Sequence, residues 1–345
     1  MSEHTTEAAP AAHAGLRLEP GVLDWLSRID ELIAADARFR SPDLAEQRAA
    51  ALDLSDALAR DFTAPAPTGV SIDELELDSG ERMLRLRRYR PAALPSGPAP
   101  TQVFLHGGGF VKGSPRELQN DRILAARASE AGVQILSLTY RLAPEHPYPA
   151  ARDDLTLALE AILADPAALG VDARRLGVGG NSAGASIAAS AALKWCAEGR
   201  APLAHLCLEV PAVAIRDFGE SYRLYGSGFG LDDIDQLTAL ILPPGAADEY
   251  ASPLAYLRGR RQPVPGFPPA LVMTAEYDPL RDTGEAFAHE LERLGHAVTL
   301  YRGEGQLHGS SSLSARTDGA RLWQRHCADA LRVAYATDEE GEHAA

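Results

Sequence analysis

The sequence contains little cysteine, with three residues of this type among 345. Cys196, Cys207 and Cys327 are an odd number, lie in apolar segments and form no C-x-x-C pair. We therefore do not expect a disulfide framework or a zinc site, because both need paired or closely spaced cysteines. The three thiols are predicted to be small core residues.

Long apolar runs and excess positive charge are also missing. No run approaches the roughly 18 to 20 apolar residues that cross a bilayer, and the first fifteen residues have no hydrophobic signal region. A formal net charge of −15 argues against nucleic acid or an anionic membrane as the main partner. We expect a cytoplasmic protein whose residues 1–15 and acidic tail 337–345 are disordered and carry no chemistry.

From Thr101 onward, apolar runs alternate with helical patterns, which predicts an α/β fold with a mostly parallel sheet. Two helices between residues 20 and 60 and a hairpin over 69–90 precede this series. The strands are predicted near 102–105, 133–139, 176–179, 205–210, 270–274 and 297–301. The helices are predicted near 117–130, 150–164, 183–198, 283–294 and 317–334.

The alternation stops between residues 215 and 269, where Gly, Pro and polar residues surround a short helical stretch at 232–242. Insertions of this length between strands usually cover the end of a sheet. We therefore divide the chain into N-terminal cap helices, a first core part, a covering insertion and a second core part. Their bounds are 16–68, 69–214, 215–269 and 270–336.

The turn Gly180-Asn-Ser-Ala-Gly184 lies between an apolar run and an alanine-rich helical pattern. A G-x-S-x-G sequence between strand and helix is typical of the sharp turn that exposes a serine nucleophile, here Ser182. The alternative is a glycine-rich phosphate loop. A dinucleotide fingerprint needs a third glycine where Ser182 stands, and no Walker lysine is present, so this alternative is weaker.

A serine hydroxyl needs a base, and catalytic groups of α/β sheets collect beyond the carboxyl ends of the strands. Among the later histidines only His308 follows a strand, through a predicted turn at residues 303–306. His289, His296 and His326 lie in or at the end of helical patterns, and His343 lies in the tail.

The same positional test selects the acid that would orient the base. Asp278 follows the strand at 270–274, whereas Glu276 stands closer to the strand end. Asp282 is expected to begin the next helix, as acids often do. The order Ser182, Asp278, His308 is the nucleophile, acid and base order of α/β-hydrolases.

A site that binds the negatively charged oxygen of a reaction intermediate is predicted at His106-Gly-Gly-Gly-Phe110, directly after the strand at 102–105. Glycines there let backbone N–H groups face a bound oxygen with no side chain in the way. We assign the N–H groups of Gly107, Gly108 and Ala183 as oxyanion donors. His106 is expected to hold the glycine loop in place.

These motifs together resemble the hormone-sensitive-lipase-like family of α/β-hydrolases, bacterial esterases with His-Gly-Gly-Gly-Phe and G-D-S-A-G signatures. The segments 140–150 and 278–282 are similar to further signatures of that family. The resemblance implies an α/β-hydrolase fold with about eight strands, a helical cap, no metal or organic cofactor, and a possible homodimer. It implies hydrolysis of short- to medium-chain carboxylic esters. The matching positions are Ser182, Asp278 and His308 for the triad, and Gly107, Gly108 and Ala183 for the oxyanion hole.

The chain departs from the family pattern at two places. Asn181 replaces the acidic residue before the serine, and Ser310–Ser312 follow His308-Gly309 where the family tends to carry an aromatic residue. We predict a serine carboxylesterase acting on a small-molecule ester. The alternatives are an acyltransferase or dehydratase acting on a natural product, and a small-molecule receptor on the same fold, against which the retained His308 argues.

Overall fold

The computed structural model describes residue 13 and residues 15–216, 218–227 and 234–336. These residues form an eight-stranded sheet with helices on both faces. The predicted disordered ends lie, apart from His13 and Gly15, outside the described residues. Within the described ranges, no helix has the length and apolar character to cross a membrane.

The sheet has the strand order β1-β2-β4-β3-β5-β6-β7-β8. β1 and β2 form the predicted antiparallel hairpin, β2 pairs antiparallel with β4, and the remaining pairs are parallel. The strands are β1 (Val70–Asp78), β2 (Met83–Pro91), β3 (Ala99–Leu105), β4 (Gln134–Thr139), β5 (Val171–Asn181), β6 (Leu206–Glu209), β7 (Ala270–Tyr277) and β8 (Val298–Leu307).

The helices of the described residues include the two predicted near the N-terminus and three within the insertion. They are α1 (Pro20–Ala35), α2 (Leu44–Phe62), α3 (Leu118–Ala131), α4 (Ala150–Ala164), α5 (Ala183–Ala197), α6 (Gly219–Tyr225), α7 (Ile234–Ile241), α8 (Pro253–Arg258), α9 (Arg281–Arg293) and α10 (Asp318–Ala334).

The core lies on both faces of the sheet. Helices α4, α5, α8 and α9 bury their apolar residues against one face, and α3 and α10 pack together on the other. Helix α5 consists largely of alanine and other small residues, and nearly all of its residues are buried. Small side chains let this helix approach the central strands closely, which positions its first turn above the sheet.

The strand β8 differs from its prediction. Residues 303–306, predicted as a turn, belong to the strand, which continues to Leu307 with an irregularity opposite Ala275 and Tyr277. The glycines serve packing and bending instead of a reversal. A Cβ on Gly303 would lie 2.9 Å from the Trp323 ring, and Gly305 has a φ of +67°.

The N-terminal helices lie over the carboxyl edge of the sheet. Val22 of α1 and Leu58 of α2 share an apolar cluster with Tyr277 and Leu307, the last residues of β7 and β8. These helices therefore border the loops that follow β7 and β8. The division of the chain into core and cap segments stays a prediction.

Candidate active site

The predicted site residues meet at one edge because their strands run parallel. Along this edge β3 ends at Leu105, β5 at Asn181, β7 at Tyr277 and β8 at Leu307. Each is followed within three residues by one of the predicted site residues Gly107, Gly108, Ser182, Asp278 and His308. A parallel sheet brings such strand ends together although the first, Leu105, and the last, Leu307, are 202 residues apart in sequence.

The turn between β5 and α5 holds Ser182 in an unusual conformation, with φ 54° and ψ −116°. A non-glycine residue with positive φ needs its surroundings to hold it there. The helix approaches so closely that a Cβ on Gly184 would lie 2.1 Å from the Leu105 carbonyl oxygen. The Ser182 N–H donates to the Glu209 carbonyl at 2.8 Å, which ties the turn to β6.

Ser182, His308 and Asp278 form a continuous chain of hydrogen bonds. Nε2 of His308 lies 3.0 Å from Oγ of Ser182, and Nδ1 lies 2.8 Å from Oδ2 of Asp278. The Asp278 side chain is fully buried, and its Oδ1 accepts the Leu280 N–H at 2.8 Å. The structure thus brings together the three residues that the sequence selected.

The two rival acids are engaged elsewhere. Oε2 of Glu276 accepts the N–H of Gly305 at 2.7 Å, within the bent part of β8. Asp282 lies in the first turn of α9 and accepts the N–H of Ser221 at 2.7 Å. Both carboxylates therefore have structural hydrogen bonds away from the His308 ring.

The environment of His308 has two opposing effects on its pKa. Burial lowers the pKa, because it disfavours the charged imidazolium, whereas the nearby Asp278 carboxylate raises it through its charge and its hydrogen bond. The carboxylate prevails, and the pKa of His308 lies above its ordinary value. A ring that gains basicity in this way is suited to accept a proton from the Ser182 hydroxyl.

The glycine loop after β3 is held by a neutral histidine. Burial lowers the pKa of His106 to about 4, and its Nδ1–H donates to the Gly107 carbonyl at 2.7 Å. The Tyr140 hydroxyl donates to the His106 carbonyl at 2.8 Å, and the two rings stack. Gly108 has a φ of +120°, a conformation that favours glycine.

The third predicted donor, Ala183, is the first residue of α5. N–H groups in the first turn of a helix have no carbonyl partner within the helix, and the helix dipole favours negative charge at this end. A Cβ on Gly107 would lie 3.5 Å from the Ser182 Cβ, so the glycine loop borders the serine. The assignment of Gly107, Gly108 and Ala183 as oxyanion donors stays a prediction.

Residues 102–312 match the family model described as the alpha/beta hydrolase fold. The carboxylic ester hydrolase LipN of Mycobacterium tuberculosis is 33% identical over 276 residues, which cover 76% of this chain and 70% of the relative. An ethyl acetate hydrolase of Pseudomonas putida is 35% identical over 239 residues, which cover 66% of this chain and 72% of the relative. The chain belongs to the hormone-sensitive-lipase-like family of α/β-hydrolases.

Solved structures agree with this assignment. An ester-hydrolase from the metagenome of Lake Arreo has a TM-score of 0.79 and 31% identity, covering 93% of this hydrolase and 100% of that chain. A thermostable esterase from Pseudomonas putida has a TM-score of 0.77 and 27% identity, covering 90% and 98%. The predicted fold class and the predicted carboxylesterase activity of this hydrolase are confirmed.

Two pockets of the hydrolase meet at Ser182. The first, which we name the α5 pocket, runs along α5 toward the insertion and is lined mainly by apolar side chains. It includes Ser182 and Ala183 but not His308. Its further lining includes Ser186, Ile187, Phe218, Ile234, Leu237 and Leu280.

The second pocket lies between the N-terminal helices, the glycine loop and the residues after β8, and we name it the His308 pocket. It includes Ser182, His308, Gly107 and Gly108. Its lining from α1 and α2 is mainly apolar, and the lining from the other elements includes both polar and apolar residues. Among the lining residues are Trp25, Ile29, Leu54, Asn181, Ser311 and Gln324.

A buried ion pair forms part of the polar side of the His308 pocket. The guanidinium of Arg127 contacts both carboxylate oxygens of Glu209, at 2.7 and 3.1 Å, and each residue is 2% exposed. The Trp323 indole N–H donates to the same carboxylate at 2.7 Å. Arg127 also donates to the Gln324 side chain at 2.8 Å.

Glu209 also belongs to a cluster with Cys207 and Cys327, whose ligand atoms lie within 4.8 Å of one another. Among the described residues, these three side chains are close enough together to be considered as ligands of a metal ion. The Glu209 carboxylate already binds the Arg127 cation, which would repel a metal ion. The cluster therefore fits a structural role better than a metal site.

Both sequence departures border the His308 pocket. Asn181 and Ser311 line it, whereas Ser310 and Ser312 do not. The Ser310 hydroxyl accepts the Leu307 N–H, and the Ser312 hydroxyl donates to the Gly309 carbonyl. These two serines therefore hold the 3₁₀ turn over Ser310–Ser312.

Sequence reasoning did not identify Ser186, Arg127 or Glu209 as site residues. Ser186 could have been found, because a residue four positions after Ser182 lies on the same face of a helix. Glu209 also carried a signal, since it is an acid at the end of an otherwise apolar strand. Arg127 gave no such signal, because its helix also carries the charged residues Asp121, Arg122 and Glu130.

Proposed function

We propose that this carboxylesterase works by acyl transfer through Ser182. The Ser182 hydroxyl attacks the ester carbonyl while His308 takes its proton, and the oxygen of the tetrahedral intermediate accepts hydrogen bonds from Gly107, Gly108 and Ala183. His308 returns the proton to the leaving alcohol. Water, activated by His308 in the same way, then releases the acid and restores the Ser182 hydroxyl.

The observation that carries this proposal is the hydrogen-bond chain from Ser182 through His308 to Asp278, at 3.0 and 2.8 Å. Asp278 fixes the ring so that Nδ1 carries a proton and Nε2 is free to accept one. It also stabilises the imidazolium that forms during attack. The raised pKa of His308 supports the same division of roles.

The two pockets support an assignment of the two halves of the ester. The leaving oxygen must receive a proton from Nε2 of His308, so the alcohol belongs in the pocket that includes this residue. The acyl chain then occupies the α5 pocket, whose lining is mainly apolar. Such a pocket suits a short to medium aliphatic acyl chain. A cytoplasmic location and a homodimer stay predictions from the sequence.

The first test is covalent labelling of Ser182 with a fluorophosphonate, read by mass spectrometry of the labelled peptide, together with hydrolysis of p-nitrophenyl acetate, butyrate and decanoate. We expect Ser182→Ala to lose the label and to lower kcat by about 10⁴-fold or more. Ser71→Ala, an exposed change in β1, is the matched control and is expected to keep both. Labelling at another residue, or unchanged turnover in Ser182→Ala, would refute the proposal.

A further inference from the structure

Two polar groups on the His308 pocket lack partners within the described part of the chain. The Ser311 side chain is 6% exposed, and its hydroxyl makes no hydrogen bond to any described residue, although the residue lines the pocket. Asn181 is only partly buried, and its amide also has no hydrogen bond among these residues. Neither side chain is among the fully buried polar atoms that lack a partner, so both keep some exposure to the pocket and can bond water or a bound ligand there.

The position of Ser311 is fixed relative to the nucleophile. Its carbonyl accepts the Gln324 side-chain N–H at 2.8 Å, and Gln324 in turn accepts from Arg127. Arg127 is clamped to Glu209, whose carbonyl holds the N–H of Ser182. This series of contacts links the loop after His308 to the turn that carries Ser182. The backbone of Ser311 is therefore held in place, three residues after His308 on the lining of the same pocket.

The composition of the pocket suits an occupant with two kinds of surface. Trp25, Ile29 and Leu54 supply an apolar wall, and Asn181 and Ser311 lie on the polar side. Under the proposed function the occupant is the leaving alcohol, because His308 protonates its oxygen. A plain alkyl alcohol would bury Ser311 and Asn181 against carbon and leave them unsatisfied, which costs free energy.

We propose that the His308 pocket selects alcohols with a second hydroxyl close to the ester oxygen, so that monoesters of diols and polyols are the preferred substrates. The second hydroxyl exchanges hydrogen bonds with Ser311 and Asn181. The chemistry is otherwise unchanged. A bond forms between Ser182 and the acyl carbon, the ester C–O bond breaks, and the Ser182 proton passes through His308 to the departing diol.

The test compares 2-hydroxyethyl butanoate with propyl butanoate, which share the acyl group and differ by a hydroxyl in place of a methyl group. We expect the wild type to have a kcat/KM several-fold higher for the hydroxyethyl ester. Ser311→Ala is expected to lower the ratio of the two kcat/KM values about fivefold, the effect of one lost hydrogen bond. Ser71→Ala, an exposed change in β1 away from the pocket lining, is the control and is expected to leave the ratio unchanged.

The inference rests on the proposed function, and the outcomes separate the two. Hydrolysis of both esters without a preference in the wild type, or an equal fall for both in Ser311→Ala, overturns the diol assignment and leaves Ser182 catalysis standing. Cleavage of neither ester together with no labelling of Ser182 overturns both. Because the readout is a ratio within one preparation, a partly misfolded variant does not imitate the expected result.

Discussion

The two pockets beside Ser182 differ in the chemical character of their linings. The α5 pocket is lined mainly by apolar side chains, with Ser186 among its polar members. The His308 pocket combines an apolar wall from α1 and α2 with polar groups above a buried ion pair. Ser182, the proposed nucleophile, therefore lies between a pocket that we expect to discriminate mainly by volume and one that we expect to discriminate also by hydrogen bonds. An apolar pocket discriminates weakly between substrates whose chains differ by one or two methylene groups. Buried polar groups discriminate more strongly against a substrate that cannot form hydrogen bonds with them.

The largest effect is expected from the centre that both pockets share. In Asp278→Asn the ring loses the carboxylate that holds its tautomer, and kcat is expected to fall by about 10⁴-fold for every ester. The acidic limb of the pH profile of kcat/KM is expected to move to lower pH. The sign follows from the site, because Asp278 raises the pKa of His308 and the remaining burial lowers it. Initial rates across pH 4 to 9, roughly the range spanning the histidine titration, measure both effects.

Asp282→Asn is the matched control, since this acid bonds the Ser221 N–H instead of the ring. It is expected to leave the acidic limb in place. An unmoved limb in Asp278→Asn would show that a group other than His308 limits the rate at low pH. A loss confined to one class of ester would show that the pockets do not share this centre.

The next largest effect is expected on the free energy of unfolding, through the buried ion pair at the His308 pocket. Glu209→Gln leaves the Arg127 cation buried without its counter-charge, and the free energy of unfolding is expected to fall by about 3 kcal/mol. Glu198→Gln is the control, because the ion pairs of Glu198 with Lys194 and Arg200 are partly exposed and such pairs contribute about 0 to 1 kcal/mol. Urea denaturation measures both. Equal losses would mean that the buried pair contributes no more than a surface pair.

The smallest effect separates the two pockets directly. Ser186→Leu adds bulk to the wall of the α5 pocket one helical turn beyond Ser182. We expect the kcat/KM ratio of p-nitrophenyl decanoate to acetate to fall about tenfold, the effect of a few apolar contacts. The ratio of hydroxyethyl to propyl butanoate should stay constant. A change in the alcohol ratio would contradict the assignment of this pocket to the acyl chain.

The sheet and the pairing of His308 with Ser182 could be predicted because strand ends are local signals. In a parallel sheet, a glycine, serine, aspartate or histidine directly after a strand lies at the carboxyl edge of the sheet. This holds however far apart such residues are in sequence. The bend within β8 could not be predicted in this way. Gly303 and Gly305 have the composition of a turn, and their actual use depends on the Trp323 ring, which belongs to another element.

The two pockets could not be predicted from the sequence, because they are formed by contacts between segments that are distant in sequence. Asn181 was noticed as a departure, but its place on the His308 pocket follows from the packing of α1 and α2 over the sheet edge. Arg127 and Glu209 are 82 residues apart, and the sequence around either residue does not indicate that the two form an ion pair. Pairings of this kind are decided by how α3 and α10 pack on the sheet, which periodicity does not specify.

The proposed reacting groups and the helices over the edge of the sheet come from different stretches of chain. Ser182, Asp278, His308 and the oxyanion donors all lie outside α1, α2, α6 and α7. Substitutions on the pocket-facing side of those helices are therefore expected to alter selectivity while the proposed reacting groups keep their places. The fold in this respect places the proposed chemistry at the ends of the strands and builds the two pockets in part from helices that lie outside the sheet.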